Sequence, residues 1–315
     1  MITLTKRHFL QSHEWAQFQR SLGKDVIERN GEGWRYVAII ENGDGKIGRF
    51  FSRLYCPYGP SYDSTSALLA AIKDLEQLAK SQDLDYIRIE PVSTFMEIPS
   101  QPKGFHKLPK SFQPSLTWML DLEKGFDAVK NDMHRSSRYR WNRVERDNIT
   151  FSISHSPEDL KDFIKMMGAT SDRTNAQFRK GEYYKKMLSE LGPSKVAGIA
   201  YAKHEGQSLV GVLFLDDKEA LTRYYMYTGA FDIARKFGAN APLVVYLIKD
   251  AIDKGLTCFD FFGIAPAEDL NHNWAGFSTF KRSFGGVDIP FAGTWEKAIK
   301  PTKYRAMNLA RKLGR

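Results

Sequence analysis

The chain carries an internal echo, and this constrains the fold more than any other feature. Residues 67–91 read as a helix, a short polar turn, a strand and a proline, and residues 241–266 repeat that order at nearly the same length. The two strands end in Ile89-Glu90-Pro91 and Ile264-Ala265-Pro266. Each copy follows a run of segments with strand character. A chain that builds one mixed unit twice needs two cores, and 315 residues with 42% hydrophobic and 13% aromatic content supply them. The expected fold class is α+β (mixed α/β), with domain 1 over residues 1–147 and domain 2 over 148–293. A short, helical, basic tail over 294–315 is expected to pack back on domain 1.

Local signals fill in the elements. Ser12 caps a helix over 13–21, with Glu14 in its first turn and Gly23 just past its end. Residues 35–41 and 47–55 read as strands joined by the turn at 41–45, followed by a helix over 65–80 and a strand over 85–90 that stops at Pro91. Residues 115–122 read as a strand and 125–147 as a basic helix. Ser156-Pro157-Glu158-Asp159 is a helix start, with a capping serine, proline at the first position and two acids on the positive helix end. Strands are predicted over 195–203, 208–215, 221–228 and 257–262, with a helix over 241–254 before the last of them.

The net charge of +9 favours polyanionic partners: nucleic acid, a phosphorylated ligand or an anionic membrane surface. Two distant cysteines, Cys56 and Cys258, fit buried thiols in the reducing cytoplasm. No segment approaches 18 uninterrupted apolar residues, and the first eight residues lack the apolar core of a signal peptide. A peripheral contact with the inner face of the membrane stays compatible with this. The seven histidines show no metal-ligand spacing, and neither a Gly-x-Ser-x-Gly nucleophile motif nor a P-loop is present, so no metal site and no cofactor is expected.

Several residues carry chemistry. Lys281 sits between aromatics in Phe280-Lys281-Arg282-Ser283-Phe284. A lone lysine is ordinarily a solvated surface charge, but a cation in a dry aromatic setting stabilises developing negative charge well. Tyr86, Arg88 and Glu90 share one strand face, so Glu90 at the strand end either meets an incoming amine or pairs with Arg88. Arg179 and Tyr183, read as helical, would face the same way. In residues 130–146, Arg135, Arg138, Arg140 and Arg143 interleave with Tyr139 and Trp141, which suits RNA or describes a solvated basic helix with its aromatics packed inward. Arg235 to Asn240 precedes a helix and partly fits the loop with which acetyltransferases hold coenzyme A pyrophosphate.

A strand meander, then a helix, then a strand is the order of the acetyltransferase-like (GNAT) fold. Two such units in tandem resemble the Fem family of non-ribosomal peptidyltransferases. The resemblance rests on Trp15, Tyr58-Gly59-Pro60, Arg88-Ile89-Glu90-Pro91, Thr117-Trp118-Met119-Leu120-Asp121-Leu122, Arg179…Tyr183, Tyr225-Met226-Tyr227-Thr228-Gly229, Asp260-Phe261-Phe262-Gly263-Ile264 and Phe280-Lys281…Phe284, in that order. It implies two tandem GNAT-like domains that move an amino acid from aminoacyl-tRNA to the side-chain amine of a peptidoglycan precursor's stem peptide, the precursor being nucleotide- or lipid-linked.

By the same resemblance Lys281 is the catalytic lysine and Glu90 takes the place of a family aspartate. Arg179, Tyr183 and Tyr227 hold the precursor, with Tyr58 and Gln17 beside it. Gln17 stands where some members have lysine, so it brings no charge. From their own pattern Arg135, Arg138, Arg140 and Arg143 would contact tRNA or the precursor's phosphates. A monomer is expected. Two other readings stay open: a coenzyme A-dependent N-acyltransferase, and a non-catalytic protein binding RNA or a membrane surface.

Overall fold

The computed structural model describes residues 7–43, 45–92, 103–174 and 177–313. The first six residues, Asp44 of the turn at 41–45 and the last two residues of the tail lie outside them. The chain splits into two compact units: the described residues up to Ser115 together with those from Pro290 onward, and Leu116–Ile289.

The first stretch of chain forms α1 (His13–Ser21), β1 (Asp25–Gly31), β2 (Trp34–Asn42), α2 (Gly45–Gly48), β3 (Ser52–Cys56), β4 (Ser61–Tyr62), α3 (Thr65–Ser81), β5 (Tyr86–Ile89) and β6 (Phe105–Lys107). The middle stretch forms β7 (Leu116–Asp121), α4 (Phe126–Asp132), α5 (Arg135–Trp141), β8 (Ile149–Ser154), α6 (Lys161–Thr174) and α7 (Gly181–Leu191). There follow β9 (Ala197–His204), β10 (Gln207–Asp217), β11 (Thr222–Ala230), α8 (Ala234–Phe237), α9 (Asn240–Asp253), β12 (Cys258–Gly263), α10 (Ala275–Arg282) and β13 (Val287–Pro290). The chain closes with β14 (Trp295–Ala298) and α11 (Pro301–Leu313).

The echo is a pair of crossovers. In the first unit α3 links β3 to β5, which run parallel with Leu54 opposite Ile87. In the second, α8 and α9 link β11 to β12, parallel with Tyr224 opposite Asp260. Each crossover follows antiparallel strands, so both units show the meander–helix–strand order of a GNAT-like fold. Ser12 Oγ accepts the Trp15 N–H and Ser64 Oγ the Ala67 N–H, satisfying amides that α1 and α3 would otherwise leave orphaned. α3 buries Leu68, Ile72, Leu75 and Leu78 on one stripe against the sheet. α9 does the same with Leu243, Val244, Leu247 and Ile248.

The sheets run β1-β2-β3-β5-β14-β6, with β4 also on β2, and β13-β7-β12-β11-β10-β9-β8. Several expectations need correction. The boundary falls at 115 and not at 147, because β7 pairs antiparallel with β12, Asp260 opposite Met119, and takes α4 and α5 into the second unit. The tail is not helical from 294: Trp295–Ala298 forms β14 between β5 and β6. The basic helix over 125–147 is two short helices, broken where Met133 and His134 turn extended and His134 caps α5 through the Ser136 N–H. The strand over 47–55 starts only at Ser52, with a helical turn before it. The start at Ser156 opens as a 3-10 turn, Pro157–Leu160, that runs into α6. β1 was not expected. It is a charged edge strand with Val26 alone buried, so it carries little alternation to read.

A buried polar knot holds β14 in place. Arg88 Nε donates to Glu296 Oε1 at 2.8 Å, and both side chains are fully enclosed. Tyr304 of α11 donates to Glu296 Oε2, and its hydroxyl lies 2.8 Å from His106 Nε2. The Arg88 guanidinium lies 3.4 Å from the Phe112 ring centroid.

Candidate functional site

In the second unit two parallel strands part. The ladder between β11 and β12 ends at Tyr224–Asp260. β11 continues to Ala230 paired with β10, and β12 continues to Gly263 paired with β7. Diverging partners leave an opening between them. The β12 side is shaped by a bulge between Asp260 and Gly263, where Phe262 takes φ +63°. Asp260 fixes it: its Oδ1 accepts the Phe262 N–H at 2.7 Å and the Thr117 hydroxyl from β7.

α10 is fastened to that strand end by one face. Ser278 Oγ accepts the Ala265 N–H at 2.7 Å, Lys281 Nζ donates to the Gly263 carbonyl at 2.6 Å and Arg282 Nη2 donates to the Ala265 carbonyl at 2.7 Å. Positions 278, 281 and 282 share a face at i, i+3, i+4 spacing. Phe280 and Phe284 turn toward the core, where Phe284 stacks on Phe261 at 5.4 Å. The aromatics flanking Lys281 therefore seat α10 on the core, while Lys281, half-buried, lies on the face bonded to the β12 end.

Burial lowers the Lys281 pKa to about 8, against an opposing pull from Asp260. Burial raises the Asp260 carboxyl to about 6, opposed by Thr117, the Phe262 N–H and Lys281. At pH 7 the pair is predominantly ammonium and carboxylate. Each group lies near its titration range, as acid–base chemistry at neutral pH requires.

On the β11 side, Tyr227 packs against Tyr184 at 5.1 Å and Tyr183 at 6.4 Å. Its phenol oxygen takes hydrogen bonds from Tyr183 and Arg179. The exposed Arg179 guanidinium sits 5.3 Å from the Tyr183 ring centroid. Burial holds both phenols above the usual tyrosine range, so they stay neutral. Arg179 is not helical as expected: α7 begins at Gly181 with Lys180 as its cap residue, and Arg179 reaches Tyr183 from the preceding segment. Tyr225 packs into the core against Phe259 and Phe261.

Lys281, Arg179, Tyr183 and Tyr227 thus belong to one unit, while Glu90, Gln17 and Tyr58 belong to the other. Glu90 does not pair with Arg88. Its Oε2 accepts the Tyr55 hydroxyl at 2.6 Å, and its Oε1 accepts the N–H groups of Phe112 (3.1 Å) and Gln113 (2.9 Å) and the Thr294 hydroxyl. That buried carboxylate binds the 112–113 loop and the β14 approach to the end of β5. Tyr58 is also buried, its hydroxyl donating to the Pro114 carbonyl at 3.0 Å. Gln17 is exposed on α1, 2.8 Å from His13.

The four arginines of the basic segment divide. Arg138 donates to the Asn131 and Met133 carbonyls at 2.6 and 2.7 Å, closing the end of α4. Arg143 pairs with Asp147 at 2.8 Å and donates to the Tyr139 hydroxyl. Arg140 lies against Gly238 of the 235–240 loop, 2.7 Å from where an alanine Cβ would stand. Arg135 is exposed on α5. Trp141 faces inward between Phe126 and Phe151.

Sequence reasoning missed Asp260, Thr117 and Ser278 as site residues. An acid inside the apolar run Cys258-Phe259-Asp260-Phe261-Phe262 was the available signal, because such a charge is rarely buried without a task. Among the described residues no group of His, Cys, Asp or Glu could hold a metal ion, and no helix is long and apolar enough to cross a membrane.

Residues 194–312 match the model of the FemAB family. Over 230 residues the chain is 21% identical to the lipid II:glycine glycyltransferase of Staphylococcus aureus, an alignment covering 68% of this chain and 52% of that protein. The chain therefore spans about half the length of the curated relatives it matches. A crystal structure of FemX superposes with a TM-score of 0.82 at 17% identity, covering 96% of this chain and 95% of that one. The structure of L-PGS from Bacillus licheniformis gives 0.61 at 17% identity, covering 95% and 91%. At these identities the likeness to the solved structures is one of fold.

Proposed function

We propose that this chain, a FemAB-family protein by its residues 194–312, is an aminoacyltransferase that adds an amino acid from aminoacyl-tRNA to the side-chain amine of a peptidoglycan precursor's stem peptide. One observation carries the proposal: a half-buried lysine, its pKa lowered to about 8, anchored at the mouth of two parting strands. The name of the S. aureus relative, a glycyltransferase acting on lipid II, supports the substrate class.

The precursor's neutral amine attacks the ester carbonyl carbon of the aminoacyl-tRNA. The tetrahedral adduct carries the negative charge on its oxygen, then collapses, breaking the bond to the ribose oxygen and leaving an amide. One N–H of the Lys281 ammonium goes to the Gly263 carbonyl, leaving two for the oxyanion or the departing ribose oxygen. With its lowered pKa the same group can protonate that oxygen, and the proton released by the attacking nitrogen then passes to the neutral Lys281 amine, restoring the ammonium. The ester is already activated, so the step needs no nucleotide hydrolysis.

Arg179 supplies a planar fork suited to the precursor's phosphates, and Tyr183 and Tyr227 hold it in place. Arg135 and Tyr139, both exposed, supply a cation and a stacking face for RNA. Glu90 acts by holding the end of β5 and not as the base. Arg179→Ala is expected to raise KM for the precursor about ten- to a hundred-fold with a smaller change in kcat, as for loss of one charge-assisted contact. Steady-state kinetics with varied precursor measure this.

The primary test is a transfer assay with a pool of radiolabelled aminoacyl-tRNAs and both lipid-linked and nucleotide-linked precursors, without ATP or coenzyme A. Label on either precursor supports the reading and identifies acceptor and amino acid. Folded protein that moves no label to either one overturns it.

A further inference from the structure

The bulge in β12 carries a carboxylate of which one oxygen serves its shape. Asp260 is fully buried, and only its Oδ1 is used by the fold, for the Phe262 N–H and the Thr117 hydroxyl. Its Oδ2 is buried with no hydrogen-bond partner among the described residues. A buried, half-satisfied carboxylate is costly unless a counter-charge offsets it. The end of the bulge is Gly263, whose carbonyl holds the Lys281 amine at 2.6 Å.

The groups around the pair are few. β7 contributes the Thr117 hydroxyl, β12 itself the Cys258 thiol, which Asp260 and burial push up, and α10 the Lys281 amine. Arg282, next along α10, turns instead to the Ala265 carbonyl and lies 3.6 Å from Asp288. Asp121, farther along β7, acts on the Cys258 thiol. β11 contributes Tyr224 opposite Asp260. Among the described residues, Lys281 is the cation acting on Asp260 and Asp260 the anion acting on Lys281.

We infer that Asp260 is the positioning residue for Lys281: from the β12 bulge it aims the Gly263 carbonyl at the amine, and with its free oxygen it keeps that amine an ammonium inside a partly dry opening. Its importance for turnover rests on the aminoacyl-transfer reading, whereas the coupling between the two side chains does not.

Asp260→Asn separates charge from shape, because the amide oxygen can still accept from Phe262 and Thr117. The measurement is the pH dependence of Lys281 acylation by trace acetic anhydride, read by peptide mass spectrometry on the full chain. The wild type should titrate near its value of about 8. In D260N the midpoint should fall by about one unit or more, the usual size for loss of a close opposite charge. Should D260N not fold, Lys281→Met gives the reciprocal reading. Without the ammonium Asp260 holds its proton to higher pH, read from the carboxyl carbon by NMR titration.

An unmoved Lys281 midpoint in folded D260N, or an unmoved Asp260 midpoint in K281M, overturns the inference. A lowered midpoint supports it, and the alkaline limb of kcat in the transfer assay should then move down with it. A lowered midpoint with an unmoved kcat limb leaves the coupling standing and overturns the role given to Lys281 in transfer.

Discussion

Lys281→Met is expected to cut kcat for aminoacyl transfer by about a hundred- to a thousand-fold, the cost of losing one preorganised donor to a developing oxyanion. KM for the precursor should change little, because Tyr227 on β11, Tyr183 on α7 and Arg179 just before α7 remain. Stability should fall modestly. The mutant loses a hydrogen bond to the Gly263 carbonyl, worth about 1 kcal/mol, and the fully buried Asp260 loses the cation that acts on it. Removing a charge that burial disfavours offsets part of this. Methionine keeps most of the side-chain length. In the wild type kcat should decline as pH rises through about 8, where the ammonium is lost. A folded K281M protein with near-normal kcat rules out the proposed chemistry. Lys281→Arg separates charge from geometry, because a planar guanidinium does not reproduce the point donor held by one carbonyl.

Glu296→Ala is expected to destabilise the first unit by about 3–5 kcal/mol, the cost of removing one partner of a buried ion pair. The Arg88 guanidinium would lose the carboxylate to which its Nε and Nη2 donate, and the Tyr304 hydroxyl would lose an acceptor. For a unit of this size the midpoint of thermal unfolding should drop by roughly 10 °C. Replacing both partners, Arg88→Met with Glu296→Leu, should recover much of the loss, because an apolar pair of similar volume often matches a buried ion pair. Circular dichroism melts of the full-length variants measure both. A single-mutant loss under about 1 kcal/mol shows that the pair is not what secures β14.

The parts that were legible have strong local causes. Ser12 and Ser64 cap helices whose apolar stripes have a clear 3.6-residue period. The repeated helix–strand–proline order announced two crossovers, and both are present. Lys281 stood out through its aromatic neighbours; those aromatics pack into the core, and the contact Lys281 makes is with the Gly263 carbonyl. Glu90 also stood out, but the sequence offered Arg88 as its partner. Its actual donors come from residues 112–113 and 294, far along the chain. Asp260 carried a signal as an acid in an apolar run, but its partners follow from a bulge, which residue types do not show.

By itself the sequence determined what short-range chemistry determines: where helices start, which faces are apolar, that one mixed unit occurs twice, and which cation sits among aromatics. Only the tertiary structure decided which strands share a sheet. β7 follows the first unit in sequence yet pairs with β12, and β14 returns to fill the place between β5 and β6. Strand pairing is set by backbone hydrogen bonds and buried contacts between distant segments, and these leave no local period to read. Arg88 and Glu296 stand 208 positions apart, and only when β14 enters the sheet do their charges become a pair. The same holds at the site, where a bulge in β12 opposite β7 lets Asp260 accept the Phe262 N–H and brings the Gly263 carbonyl to the Lys281 amine.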